Sequence, residues 1–268
     1  MKQFISSMEN DVQDKNSLAW KKLCDYVDEL AMSGHDEFSP RDFLGAELFS
    51  QIHTLPATIA KLDKVKKIWL YGSKLKRIPP EIGGMTALEF FDPYTSYDLH
   101  WFPYEITQCK NLVSSRISTR ALYGNYKFRT PFPRLDHNPV RYDGDMLKCS
   151  ICKKTISYAE TNQLWISLRI GTDTVPLLVN ACSTHCEEQL PTPPENYVQY
   201  PHKGGKSLQQ PPDVETFVKS EILRRRNESA VPVSQTSTQD ANVLDGSKFK
   251  ADAMALKPLN LVVKIWDK

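Results

Sequence analysis

The 268-residue chain lacks any apolar run approaching the roughly 18 residues that a membrane helix needs, so no membrane contact is expected. Its opening, MKQFISSMENDVQDKNSLAW, has no apolar core behind Lys2, which argues against an export leader and for a cytoplasmic protein. Neither charge sign is in excess. Lys+Arg number 34 and Asp+Glu 32, which excludes broad electrostatic wrapping of nucleic acid but leaves room for a local basic patch. Catalytic signatures are missing as well: there is no HExxH, GxSxG, GxxxxGK[ST] or DxDxDG-like loop. The six histidines, at 35, 53, 100, 137, 185 and 202, fall in unrelated segments, and a nonenzymatic role is expected. Cysteine is sparse at six, and four of these lie in two close pairs, which favours a metal cage over disulfides.

The chain does contain a leucine-rich phrase that restarts at Leu55-Pro56, Ile78-Pro79 and Phe102-Pro103, in steps of 23 (55 to 78) and 24 (78 to 102) residues. The first unit spaces Leu55, Ile59, Leu62, Val65, Ile68, Leu70 and Leu75 as a solenoid turn spaces its buried side chains. Ile78, Ile82, Met85, Leu88, Phe91 and Leu99 take the same slots in the second unit. Phe102, Ile106, Cys109, Leu112, Ser115, Ile117 and Leu122 take them in a decayed third. A period of about 20 to 29 residues marks units that cannot bury an apolar face alone and must stack to make a core.

The segments LPATIAKLDKVKKIWLYGSKL and IPPEIGGMTALEFF resemble the bacterial leucine-rich repeat family of the form IPxxIxxLxxLxxLxLxxNxLxx, over residues 55 to about 124. Two departures stand out. Ser73 replaces the asparagine that bonds exposed backbone at the turn, and Asp92-Pro93-Tyr94 interrupts the second strand, which points to an irregular or edge position there. The resemblance implies a short leucine-rich repeat solenoid, and with the N-terminal helical cap and small C-terminal zinc-binding β-hairpin module read from the flanking residues below, the expected fold class is α/β. It also implies a concave face on which Lys67, Trp69 and Tyr71, then Glu89, Phe90 and Asp92, then Ser114, Arg116 and Ser118 project outward. Large aromatics and arginine are the usual energetic anchors of protein interfaces, so Lys67, Trp69, Tyr71, Glu89, Phe90, Asp92 and Arg116 are the candidate partner-binding residues. The competing reading is that flanking segments fold over the face and bury the rings.

Ahead of the repeats, Leu18, Trp20, Leu23, Cys24, Val27, Leu30 and Ala31 recur at helical spacing from a Ser17 cap to Gly34. Ser39-Pro40 starts a second short helix, with the serine as cap. This pair is expected to cover the open end of the solenoid, a partner-binding role being the alternative. Cys24 and Cys109 sit at apolar slots and read as buried small hydrophobes.

The second strong signal is Cys149-Ser150-Ile151-Cys152 followed by Cys182-Ser183-Thr184-His185-Cys186. A CxxC turn places two thiolates on one side of a tight knuckle, and a second pair about 30 residues on closes a tetrahedral zinc cage of the structural kind. Cys149, Cys152, Cys182 and Cys186 are the preferred ligands, with His185 as the alternative to Cys186. The run CSTHCEEQL resembles the second knuckle of treble-clef and ribbon-like zinc fingers, in which the second cysteine lies in the opening turn of a short helix. A redox CxxC fits poorly without a thioredoxin-like βαβ unit around it. Leu164–Ile170 and Val175–Val179, separated by Gly171-Thr172-Asp173, read as a hairpin bridging the knuckles.

Beyond the finger, His202-Lys203-Gly204-Gly205 reads as a packing loop, since no GK[ST] ending follows to make a phosphate loop. Asp213 can cap a helix over 214–226 whose Arg224–Arg226 end suits the helix dipole, a nucleic-acid grip being the alternative. Residues 228–256 read as linker, and LNLVVKIWDK as a returning strand. The implied organisation is a helical cap over 1–54, repeats over 55–135, a zinc module with trailing helix over 136–227, and linker plus strand over 228–268. The expected function is binding of another protein, and analogy with small bacterial binding proteins extends this to neutralising a cognate toxin or effector. A zinc-finger regulator contacting DNA or RNA is the alternative; bacterial leucine-rich repeat ubiquitin ligases are set aside because the region after the repeats is short and metal-like.

Overall fold

The computed structural model describes residues 13–136, 140–142 and 144–213, together with 215, 216, 219, 222 and 223. The linker, the LNLVVKIWDK strand and Arg224–Arg226 lie outside the described residues. Among the described residues the chain mixes helices and strands.

Helix α1 spans Leu18–Ser33. The Ser17 hydroxyl accepts from the Trp20 amide at 3.2 Å, and Gly34, in the left-handed region, closes the helix through its N–H to the Leu30 carbonyl at 3.1 Å. Ala19, Trp20, Leu23, Val27 and Leu30 form its buried stripe, whereas Leu18 is exposed and Cys24 half-buried. That stripe packs on the turn Ala57–Lys61, and Lys61 reaches Asp28 at 2.8 Å. Strand β1 (Glu37–Phe38), helix α2 (Pro40–Leu44) and helix α3 (Ala46–Phe49) follow. Ser39 does not cap α2 with its side chain: its hydroxyl donates to the Asp42 carboxylate at 2.5 Å. A charge-assisted bond of this kind is stronger than one to a neutral amide.

From Leu55 onward the same local structure occurs three times. A proline in extended conformation leads into a one-turn 3-10 helix at Ala57–Lys61, Pro80–Gly84 and Tyr104–Gln108. Each turn closes with an equivalent bond: Leu62, Met85 and Cys109 amides donate to the Ile59, Ile82 and Ile106 carbonyls at 2.9, 3.0 and 3.1 Å. Strands β2 (Lys67–Trp69) and β3 (Phe90–Asp92) follow the first two turns. Strand β4 (Phe102–Pro103) precedes the third and β5 (Ser114–Ser115) follows it.

The parallel order is β1-β2-β3-β5, with Lys67 beside Phe90 beside Ser114 and Ile68 beside Phe91 beside Ser115. All of the apolar slots of the first two units are buried, each contributing about 1.5–3 kcal/mol of hydrophobic stabilisation. In the third unit Leu112 and Ile117 are only half-buried.

Both sequence irregularities have local solutions. Strand β3 has ended by Pro93, so the proline removes no ladder bond, and β3 lies inside the sheet and not at its edge. At the turn, buried Ser73 and Ser96 share a hydrogen bond of 2.6 Å, and Ser96 Oγ also reaches the Leu70 carbonyl at 3.1 Å and the Ser73 amide at 3.2 Å. The hydroxyls take over the backbone pairing. One unit further on, Ser118 Oγ accepts from the Thr95 amide at 2.8 Å.

Strands β6 (Met146–Lys148) and β7 (Thr155–Ser157) form one hairpin, and β8 (Asn162–Ile170) and β9 (Asp173–Ala181) a longer one, with Ile170 opposite Asp173 across a two-residue turn. Helix α4 (Thr184–Glu188) follows. β8 is buried at nearly every position because both its faces are covered. Leu164, Ile166, Leu168 and Ile170 join the cluster that runs back through the stacked units to α1, while Trp165 sits with Trp101, Phe132, Leu135 and Val140 in a second cluster. β4 pairs in parallel with β9, Phe102 beside Leu177, so the opening strand of the third unit belongs to the hairpin's sheet. The His202 loop also packs there: Trp165 and His202 exchange backbone bonds of 2.8 and 3.0 Å.

Candidate metal centre and partner face

Between β6 and β7 the chain turns through the first cysteine pair. The Cys149 amide donates to the Lys154 carbonyl at 2.8 Å and the Lys153 amide to the Cys149 carbonyl at 3.0 Å, which folds Cys149 and Cys152 to one side. Cys182 follows the last residue of β9, and Ser183 caps α4 by accepting from the Cys186 amide at 3.3 Å, which places Cys186 in the opening turn. The knuckles are tied to each other by Ser150, whose amide donates to the Asn180 carbonyl at 2.8 Å while its hydroxyl accepts from the Asn180 amide at 3.0 Å. Gln163, itself bonded to both backbone groups of Val140, fixes the Asn180 side chain at 2.8 Å.

The sulfurs of Cys149, Cys152, Cys182 and Cys186 all lie within 4.8 Å of one another, and none is in a disulfide. The Cys152–Cys182 and Cys182–Cys186 separations are 3.5 and 3.6 Å. A tetrahedron of zinc–sulfur bonds of about 2.3 Å has sulfur–sulfur edges of about 3.8 Å, so the cluster has the dimensions of a metal cage. Cys149 and Cys186 are buried, Cys182 half-buried and Cys152 exposed. Burial pushes the Cys149 thiol up, but the amides of Cys152, Ile151 and Cys182 outweigh it and bring the group down to about 7. Hydrogen bonds with the Cys152 and Cys186 side chains push the Cys182 thiol up to about 12. Four soft sulfur donors with one already eased toward thiolate suit a thiophilic cation and leave no position open for substrate. His185 is exposed and not part of the cluster.

The second candidate surface lies on the parallel sheet. Lys67 pairs with Glu37 at 2.8 Å, and the Trp69 indole N–H donates to the same carboxylate at 3.0 Å. Those bonds, the lysine's first, hold the Glu37 carboxyl below its ordinary range. Trp69 and Phe90 are half-buried against each other, with ring centres 5.0 Å apart. Beyond them runs a continuous row: Arg41 sits 5.7 Å over Tyr71, Tyr71 is 6.1 Å from Tyr94, and Arg116 sits 5.3 Å over Tyr94. Glu89 is exposed and 3.7 Å from Lys66.

Asp92 differs from expectation. Its side chain is 2% exposed and accepts from Arg116 at 3.1 Å and from the Tyr94 amide, so it braces the row from beneath. Ser118 is likewise buried and serves the backbone. Sequence reasoning overlooked Glu37, Arg41 and Tyr94. Tyr94 had a signal, since it stands 23 residues after Tyr71 (71 to 94), the repeat step itself. Glu37 and Arg41 had none, because they precede the repeats. In comparisons with family models, with curated proteins and with solved structures, nothing matches this chain.

Proposed function

We propose that this chain is a nonenzymatic protein-binding module. In this reading the stacked units are a short leucine-rich repeat solenoid of the bacterial type and α1–α3 its N-terminal cap. The four cysteines hold a structural zinc that pins the C-terminal hairpins, and the protein works in the cytoplasm. The observation that carries it is the row Arg41–Tyr71–Tyr94–Arg116 beside Trp69–Phe90 on a parallel sheet. Arginine and tyrosine fixed by ring contacts lose little further side-chain freedom when a partner docks, which is how such residues come to dominate interface energetics. Zinc chemistry here is confined to holding Cys149, Cys152, Cys182 and Cys186 together; the partner touches the sheet. A narrower version, in which that partner is a toxin neutralised by this chain, is an analogy alone.

The test is affinity capture with the zinc-loaded full chain, followed by direct titration of the recovered protein. Tyr71→Ala and Tyr94→Ala, both at exposed rings, are expected to weaken that titration by about tenfold or more each while leaving the melting temperature near that of the parent. Binding that survives both changes, or that collapses steeply as salt rises in the manner of nucleic-acid complexes, would refute the assigned face.

A further inference from the structure

The structure carries a cavity remote from the Trp69–Tyr94 surface. A groove of about 470 Å³ opens between the 3-10 turns of the stacked units and the first cysteine hairpin. One wall is the turns Pro80–Gly84 and Tyr104–Gln108, and the other is β6 with the segment before it. None of its lining residues belongs to the Trp69–Tyr94 surface.

Three residues that line this groove each carry a polar atom that is shielded from solvent and has no hydrogen-bond partner among the described residues: Glu105 Oε2, Gln108 Nε2 and Tyr142 Oη. Glu105 is 7% exposed, and its carboxyl takes hydrogen bonds from Ser150 and from its own backbone amide, while Oε2 is left without a partner among the described residues. Burial raises the Glu105 carboxyl above its ordinary range, as expected of an acid whose remaining oxygen lacks a donor. An orphaned buried polar group is destabilising, so three of them beside one cavity call for an explanation. Gly83 lets the two turns approach closely at this wall: a Cβ there would lie 2.8 Å from the Glu105 carbonyl and 3.0 Å from the Gln108 side chain.

The unmatched atoms define a pattern: a carboxylate oxygen that needs an N–H, and an amide N–H and a phenol that can both donate to one oxygen. The apolar contribution of Met146, Ala60 and Pro80 suits a compact, largely uncharged body. We propose that this groove binds a small neutral molecule through a carboxamide or ureide edge, its N–H given to Glu105 and its oxygen held by Gln108 and Tyr142.

The experiment titrates the zinc-loaded full chain with benzamide and with acetophenone, which has the same shape but no N–H, by ligand-observed magnetic resonance. Benzamide is expected to bind at about 1 mM, reasonable for nine heavy atoms. Acetophenone is expected to be weaker by about tenfold, the worth of one well-formed hydrogen bond. Gln108→Leu and Tyr142→Phe should each lower benzamide affinity by about fivefold or more while leaving the melting temperature unchanged or higher, because each removes an orphaned polar atom. Equal binding of the two probes, or no binding of benzamide at ten times its expected dissociation constant, overturns the proposal. A fall in melting temperature in both variants with benzamide affinity unaltered overturns it too, since that marks atoms satisfied by trapped water.

Discussion

Replacing Ser96 by alanine tests whether the paired hydroxyls of Ser73 and Ser96 support the buried turn between them. Ser96 Oγ serves three buried groups: the Ser73 hydroxyl at 2.6 Å, the Ser73 amide at 3.2 Å and the Leu70 carbonyl at 3.1 Å. The loss is partial, because the Ser73 amide keeps the Leu70 carbonyl at 3.2 Å and the Ser73 hydroxyl keeps the Leu75 amide at 3.4 Å. Each group is left with one long bond where it had two, and the expected cost is about 2 kcal/mol, within the range for disrupting a buried hydrogen-bond set. For a domain of this size that corresponds to a melting shift of about 4–8 °C. Ser73→Ala removes fewer bonds and is expected to cost about half as much. Because the 2.6 Å contact is counted in both single changes, the double variant should fall short of the sum by about 0.5–1 kcal/mol. The assay is urea unfolding of the zinc-saturated chain, comparing midpoints at constant slope. A Ser96→Ala cost below about 0.5 kcal/mol, or strict additivity in the cycle, would show that the serine pair does not support the turn.

Chelation is expected to release one zinc ion per chain, measured by elemental analysis, and to lower the melting temperature, since four-thiolate affinity is coupled to folding at an apparent 10–16 kcal/mol or so; an unchanged melt defeats the structural role. Cys186→Ser should lose the ion and His185→Ala retain it, in line with the sulfur cluster; the reverse outcome would move the fourth ligand to the histidine. Burial holds His202 down at about 4, so between about 4 and its ordinary value near 6.5 it is neutral in the folded chain and takes up a proton on unfolding. Its folded value lies below its unfolded one, so its contribution is intact at neutral pH and is lost as pH falls from about 6.5 to about 4, by up to about 3 kcal/mol. Melting profiles of the parent and His202→Gln should differ in slope within that window and run parallel outside it, and parallel profiles throughout the window would contradict the assignment.

The parts that could be read from sequence are those that local spacing encodes. Ile59, Ile82 and Ile106 recur because each 3-10 turn must turn one side chain inward, and the four cysteines show because a knuckle needs its two thiolates close in the chain. Ser17 and Gly34 mark the ends of α1 for the same local reason. The Asp92 carboxylate shows the limit. Its place in the repeat resembles that of an outward residue, yet Arg116, 24 residues later, draws it under the tyrosine row. The Ser39 cap was misjudged by a competition that only geometry resolves, with Asp42 within reach of the hydroxyl.

The amino-acid sequence by itself determined the period of the apolar slots and the pairing of cysteines into two knuckles, since both follow from distances along one strand or turn. Tertiary structure alone decided that β4 leaves the stacked ladder to pair with β9, that Ser150 and Asn180 join the knuckles, and that Glu37 and Arg41 complete the aromatic face. Those contacts join residues far apart in the chain, and such contacts are selected by burial and unmatched hydrogen bonds in the assembled core, for which no short sequence pattern exists.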